Sequence, residues 1–123
     1  KDGTITAADV ELTYEAGAFA GSPVALGCMT GTASYDLKNM RAVGWDVVVN
    51  RPKAAAYRAP GAPVAAFVVE STIDAMADKL GLDPLEMRLK NASKEGTKAP
   101  YGPRFPRIGF VECLEAAKAH PHW

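Results

Sequence analysis

This 123-residue chain is poor in the side chains that carry out most enzyme chemistry, with two histidines, two cysteines and an aromatic content of 8%. His120 and His122 flank Pro121 near the C-terminus, and two ligands on a terminal stretch hold no metal tightly. A Ser-His-Asp device needs a histidine seated in a core, and neither qualifies. Cys28 and Cys113 are too far apart in sequence for a metal pattern or a disulfide framework. They read as small buried hydrophobes, free thiols in a reducing, cytoplasmic setting. GxxxxGK[ST], GxGxxG, GxSxG and HExxH are all absent, which leaves no phosphate loop, nucleophile elbow or zinc helix to consider. Glu70 and Asp74 share a helical face, which reads as a solvated acidic surface rather than an acid/base pair. No catalytic residue and no metal ligand is assigned.

Excess charge is missing too. Fourteen Lys and Arg balance fourteen Asp and Glu. No basic stripe exists to track a nucleic-acid backbone or an anionic membrane, so neither partner is expected. No apolar run reaches the length of a membrane span, and no signal peptide opens the chain. Apolar content of 48% with 23% charged residues is ordinary globular composition, enough for one modest core. Lys1-Asp2-Gly3-Thr4 carries a hairpin-turn signal without the strand that should precede it. With no initiator Met, the chain reads as a piece of a longer one. An unpaired strand edge is expected near its start, with self-association of the isolated piece.

What is present is a run of six elements. Asp9 to Glu15 alternates, with Val10, Leu12 and Tyr14 on one face, predicting a half-buried strand that starts near Thr4. Gly17 and Gly21 bracket Ala18-Phe19-Ala20, where a bulge or close backbone contact is expected. Ser22-Pro23 predicts a short helix with Ser22 as N-cap, running through Cys28 and Met29. The run Tyr35 to Asn39 reads as a polar connection. A second strand is expected from about Met40 to Asn50, with Val43, Trp45, Val47 and Val49 as its apolar face. The strongest helix signal spans Pro63 to Leu80, where Ala66, Val69, Ile73, Met76 or Ala77, and Leu80 repeat at helical spacing before Gly81. Asp83-Pro84-Leu85-Glu86 restarts a helix as a capping box, with a Glu86–Lys90 pair along it, ending near Asn91. Residues 94–109 read as a long surface connection, and a last helix covers about Phe110 to Ala119. The fold class is therefore α/β (α+β), with two or three strands and three or four helices.

One stretch concentrates the chemistry: Ala54-Ala55-Ala56-Tyr57-Arg58-Ala59-Pro60-Gly61-Ala62-Pro63. Small side chains let backbone amides approach a neighbour closely. A helix start just beyond would aim unpaired N–H groups and its positive dipole end back at the loop. Arg58 completes a seat for an anionic or metal–oxo group. The competing reading is structural: Arg58 pairs with an acidic side chain, and the prolines shape a strand-to-helix turn.

The run Asn50 to Gly61 resembles the large, molybdenum-binding subunit of the xanthine dehydrogenase/aldehyde oxidase/carbon monoxide dehydrogenase family. Gly17-Ala18-Phe19, Tyr35-Asp36-Leu37-Lys38-Asn39-Met40-Arg41 and the run Leu82 to Asn91 are similar to the same family in the same order, so the resemblance covers nearly the whole chain. It implies a partial molybdopterin-binding domain of a larger catalytic subunit. Such subunits hold a molybdopterin-type molybdenum cofactor and hydroxylate aldehydes or N-heterocycles with oxygen from water, or oxidise CO. They pass electrons to iron–sulfur and FAD partners. By the same resemblance Tyr57, Arg58, Ala59, Pro60 and Gly61 line the cofactor, with the Arg58 amide directed at a metal oxo ligand. Pro60 stands where the family often has a substrate-stacking phenylalanine, and Val64 where a Gln commonly follows the loop's proline. Pro60 cannot stack on a purine, which points away from purine hydroxylation. The family's glutamate base and most of its pterin contacts lie outside these residues, so the piece alone is expected to be inactive. The alternative, from a different class, is a non-enzymatic interaction or assembly module of α/β fold.

Overall fold

Alternation between apolar and polar residues makes Ala7–Gly17 strand β1 in the computed structural model, which describes residues 2–123. Helix α1 (Val24–Thr30) crosses to strand β2 (Asn39–Val48), followed by helices α2 (Ala62–Leu80), α3 (Pro84–Asn91) and α4 (Phe110–Lys118). Two strands and four helices give the expected mixed α/β architecture. The strands pair in parallel, with Leu12 opposite Gly44 and Tyr14 opposite Asp46. Parallel neighbours need a crossover, and α1 supplies it.

The helices cover the face that carries Val10, Leu12 and Tyr14. Leu12 is buried with Val24 and Ala65, flanked by Val10, Tyr14 and Cys28. On β2 this face is Ala42 and Gly44, not the expected valines. A Cβ at Gly44 would lie 2.8 Å from a Val24 methyl and 3.0 Å from the Cys28 sulfur. Small residues let α1 close on the sheet, so Val43, Trp45 and Val47 are turned to the opposite face. Trp45 is 54% exposed there, and its indole N–H donates to Glu11 at 2.6 Å. The ladder slips between Glu15 and Gly17, which places a bulge at Ala16, before Gly17 rather than in the Ala18–Ala20 stretch expected.

On α2 the buried stripe is Ala65, Val69, Ile73 and Ala77. It sits one position from the expected Ala66, and Met76 and Leu80 lie at its margin. Tyr35, read from sequence as part of a polar connection, is instead a core residue, buried with Val69, Ile73, Ala77 and Met87. Burial and the Glu70 carboxylate, 2.7 Å from its hydroxyl, push its pKa well above the ordinary phenol value. A third small core joins Leu85, Ala92 and Leu114. Among the thiols, Cys28 is half-buried and Cys113 is exposed, against the expectation that both are buried.

Several local signals found other partners. Pro23, not Ser22, holds the N-cap position of α1, with no side-chain cap. The Asp46 carboxylate reaches from β2 to accept from the Gly21 and Ser22 amides instead, at 2.6 and 2.9 Å. Asp2-Gly3 turns no hairpin: Lys90 donates to Asp2, and Asn91 donates to the Gly3 carbonyl while accepting from the Ile5 amide. Lys1 lies outside the described residues. Asp83 caps α3 as expected, but Glu86 pairs with Lys118 rather than closing the box or meeting Lys90. Residues 94–109 are not structureless, for Lys98 and Arg104 form an antiparallel bridge around buried Ala99. Glu70 and Asp74 are not a free acidic face either, since Arg88 bonds both at 2.9 and 2.7 Å.

Arg88 is the ionic bolt between α2 and α3, with its side chain only 13% exposed. Arg88→Ala is expected to destabilise the chain by about 2 kcal/mol in urea unfolding, because it strands the Glu70 carboxylate beside the Tyr35 hydroxyl. The Asp83 carboxyl is held below its ordinary range chiefly by the Glu86 amide; desolvation opposes this, and the Leu85 amide adds to the lowering. A depressed folded pKa means a contribution present above the ordinary carboxylate range and lost as pH falls through the folded value. The urea midpoint should therefore lose an increment on acidification that Asp83→Asn lacks.

Candidate functional site

After β2 the chain folds back over the end of β1. The Val49 amide donates to the Gly17 carbonyl at 3.0 Å, and the Ala18 amide to the Arg51 carbonyl at 2.9 Å. At the bulge, the Ala16 carbonyl accepts from the Ala54 amide at 2.8 Å. Gly17 permits this closeness: with φ of +76° it leaves only 2.1 Å between a hypothetical Cβ and the Pro52 carbonyl oxygen. Beyond Ala54 the small-residue run leaves the sheet.

The run ends in a tight turn. The Ala62 amide donates to the Ala59 carbonyl at 3.1 Å, and Gly61 has φ 77° and ψ −25°. Proline second and left-handed glycine third is the type II signature. Gly61 then serves as N-cap of α2, with its carbonyl accepting from the Ala65 amide at 3.1 Å. Ala59 carries the one positive φ on a non-glycine among the described residues, 56°. That conformation costs an L-residue roughly 1–2 kcal/mol, and a following proline adds its own restriction. Strain of this kind persists only where the surroundings enforce it, and it gathers at functional segments.

All five residues singled out in sequence lie on this loop. Tyr57 is 88% exposed, Arg58 and Ala59 are exposed, and Pro60 and Gly61 are partly covered. Among the described residues Arg58 has no ion-pair partner, although Arg41, Arg51 and Arg88 all find carboxylates. The simple ion-pair reading of Arg58 is thus not what the fold does. The proposed helix-end seat needs correction, however. α2 begins at Ala62, Pro63 has no N–H, and Ala62 and Ala65 already donate, leaving only the Val64 amide of the first turn free. The open donors are instead the amides of Ala55 through Ala59, none of which bonds a protein acceptor among the described residues. Beside them lies a shallow groove of about 250 Å³ lined by Tyr14, Glu15, Pro23, Ala54, Ala55, Gly61 and Val64, with the Glu15 carboxylate paired to Arg51. A groove of about 430 Å³ between the first half of β1 and α2 contains none of these residues. Its walls are largely apolar and converge on no donor set.

Exposed backbone donors, an unpaired guanidinium and small side chains suit an anionic, oxygen-rich group. Residues 1–92 match the molybdopterin cofactor-binding domain family. The chain belongs to that family. It is 47% identical over 75 residues to the xanthine dehydrogenase molybdenum-binding subunit of Escherichia coli O157:H7, covering 60% of this chain and 10% of that one. Aldehyde oxidase of Homo sapiens is 33% identical over 121 residues, 96% of this chain and 9% of its own. The solved aldehyde oxidoreductase of Desulfovibrio gigas superposes with a TM-score of 0.80 at 28% identity, over 95% of this chain and 13% of that one. The chain therefore spans about a tenth of the length of these relatives.

One residue that holds the loop, and one that holds the segment before α1, are not singled out by the sequence reading. Tyr14 was read only as part of an apolar strand face, yet its hydroxyl donates to the Gly61 carbonyl at 2.9 Å. Asp46 falls on the same face by register and fixes the entry to α1. For Tyr14 the available signal is a hydroxyl on a face otherwise packed by Val, Leu, Ala and Gly, where a partly buried polar group must find a partner; Asp46 is exposed and carries no such signal. His120 and His122 stack on each other with ring centroids 5.2 Å apart. Among the described residues no three His, Cys, Asp or Glu side chains converge as a metal site, and no helix is long and apolar enough to cross a membrane.

The two ends of the turn make opposite predictions. Gly61→Ala places a methyl 2.4 Å from the Pro23 carbonyl oxygen at positive φ, and is expected to cost more than about 2 kcal/mol in urea unfolding. Ala59→Gly relieves strain and is expected to be neutral or to stabilise by up to about 1 kcal/mol.

Proposed function

We propose that residues 1–123 form part of a molybdopterin-binding domain within a larger molybdenum-binding catalytic subunit. Its reaction class is hydroxylation of an aldehyde or N-heterocycle with water-derived oxygen, or oxidation of CO, with iron–sulfur and FAD groups as electron partners. The observation that carries this reading is the strained loop that presents Arg58 and a run of free amides with no protein partner. Tyr57, Arg58, Ala59, Pro60 and Gly61 would hold one side of the cofactor. When bound, the cofactor supplies a metal that accepts two electrons.

The chain's own residues bind and orient. Arg58 adds positive charge, and the amides of Tyr57 to Ala59 offer fixed dipoles that need no reorganisation when negative charge approaches. The small side chains of Ala54 to Ala56 keep the approach open. Pro60 offers no aromatic ring to stack on a purine, which weakens purine hydroxylation as the activity. Two free thiols fit a reducing cytoplasm.

Only one wall of the pocket lies on these residues, so the isolated chain should not turn over substrate. It should also self-associate. Trp45 and Phe67 are 54% and 75% exposed, and each strand has a neighbour on one side only.

Arg58→Ala in the full-length subunit should lower turnover per bound molybdenum by about a hundredfold, while the unfolding midpoint of this exposed position barely moves. Equal turnover per molybdenum would sink the assignment. For the isolated chain, light scattering coupled to size exclusion should give a mass above 13.0 kDa that rises with concentration. A monodisperse monomer at high concentration contradicts the self-association.

A further inference from the structure

Where Tyr14 of β1, Gly27 of α1 and Gly61 meet, three parts of the fold touch with no room for a side chain. A Cβ on Gly61 would lie 2.9 Å from the Gly27 nitrogen, and one on Gly27 would lie 2.9 Å from the Tyr14 hydroxyl. That hydroxyl donates to the Gly61 carbonyl at 2.9 Å. Among the described residues it is the one hydrogen bond that ties residues 55–61 to any element other than α2. The same carbonyl accepts from Ala65, so a single oxygen links β1, the turn and the first bond of α2. Burial, with the nearby Cys28 thiol adding to it, pushes the phenol above its ordinary value, so it remains a donor throughout the physiological range.

We infer that Tyr14 is a positioning residue, a latch that holds the Ala59–Ala62 turn against β1 and thereby aims Arg58. The inference rests on the proposal that this loop forms a wall of the cofactor pocket. Ala59 explains why a latch is needed. Left free, an alanine before a proline relaxes out of the left-handed region, and the guanidinium one residue earlier swings with it. The glycine contacts block motion toward α1 but do not stop the turn from lifting away. Only the Tyr14 hydroxyl resists that direction.

Tyr14→Phe in the full-length subunit keeps the ring and removes the latch. Hydrogen exchange on the cofactor-free subunit should show the Ala62 and Ala65 amides exchanging about fivefold faster, the scale of one lost hydrogen bond, with the β1–β2 amides unchanged. In the loaded enzyme, turnover per bound molybdenum should fall about tenfold. Gly27→Ala, which wedges a methyl against the hydroxyl, should reproduce both effects if Tyr14→Phe does not accumulate. Tyr35→Phe loses a comparable bond, to Glu70, and should change neither readout whatever it does to stability. Unchanged exchange at Ala62 and Ala65 overturns the latch, and so does parental turnover per molybdenum in Tyr14→Phe. Failure of the cofactor-wall reading shows separately, as parental turnover in Arg58→Ala, because the exchange experiment contains no cofactor.

Discussion

The close seating of α1 on the sheet is the constraint from which the rest follows. Gly44 admits Val24 and Cys28, Gly27 admits Leu12 and Tyr14, and Gly31 comes within reach of Ala65 and Val69. Each contact replaces a side chain by a backbone surface, so α1 lies nearer to β1, β2 and α2 than ordinary packing would allow. The consequence is geometric rather than energetic. With α1 this close, the Pro23 carbonyl and the Gly27 amide form a floor beneath the start of α2. The residue that crosses that floor must lack a Cβ, and it is Gly61.

That floor explains why the loop between β2 and α2 has the shape it does. Its near end is pinned by the bulge at Ala16, whose carbonyl captures Ala54. Its far end is pinned by Gly61. Between two fixed points the chain must travel from the sheet edge to a helix axis, and Ala59 takes a left-handed conformation to close the path. Residues 55–59 have no neighbour against which to satisfy their amides. The segment is ordered by its ends while its middle stays chemically open, the arrangement a binding loop on a rigid scaffold requires.

Legibility followed the range of the interaction. The periodicity of Val69, Ile73 and Ala77 and the Asp83-Pro84 start are local patterns, and they located α2 and α3 to within a residue or two. The face of β2 is not local. Val43, Trp45 and Val47 are the more apolar set, but Ala42 and Gly44 meet the helix because α1 must come close, and nothing within ten residues encodes that. Tyr35 was misjudged for the same reason: its polar neighbours hide a ring whose partners lie more than thirty residues away. The loop residues stand out by their chemistry and their order, whereas Tyr14 acts on the loop from β1 and carries no motif.

Ala59 bears on what the loop is for. An ordinary strand-to-helix turn has no reason to keep a non-glycine at positive φ, since Gly there would remove the strain at no cost in side-chain contacts. Keeping the alanine restricts the unfolded and loosened ensembles of the loop, so what is lost in strain returns as a narrower range of positions for Arg58. Such narrowing does nothing for a turn whose only task is to connect. It matters where a guanidinium and a row of amides must already be in place before a negatively charged group arrives, because dipoles fixed in advance stabilise charge without reorganising. On the proposed cofactor-wall reading, the unpaired Arg58, the free amides and the strained alanine answer one requirement, and the tight seat of α1 is what allows the fold to meet it.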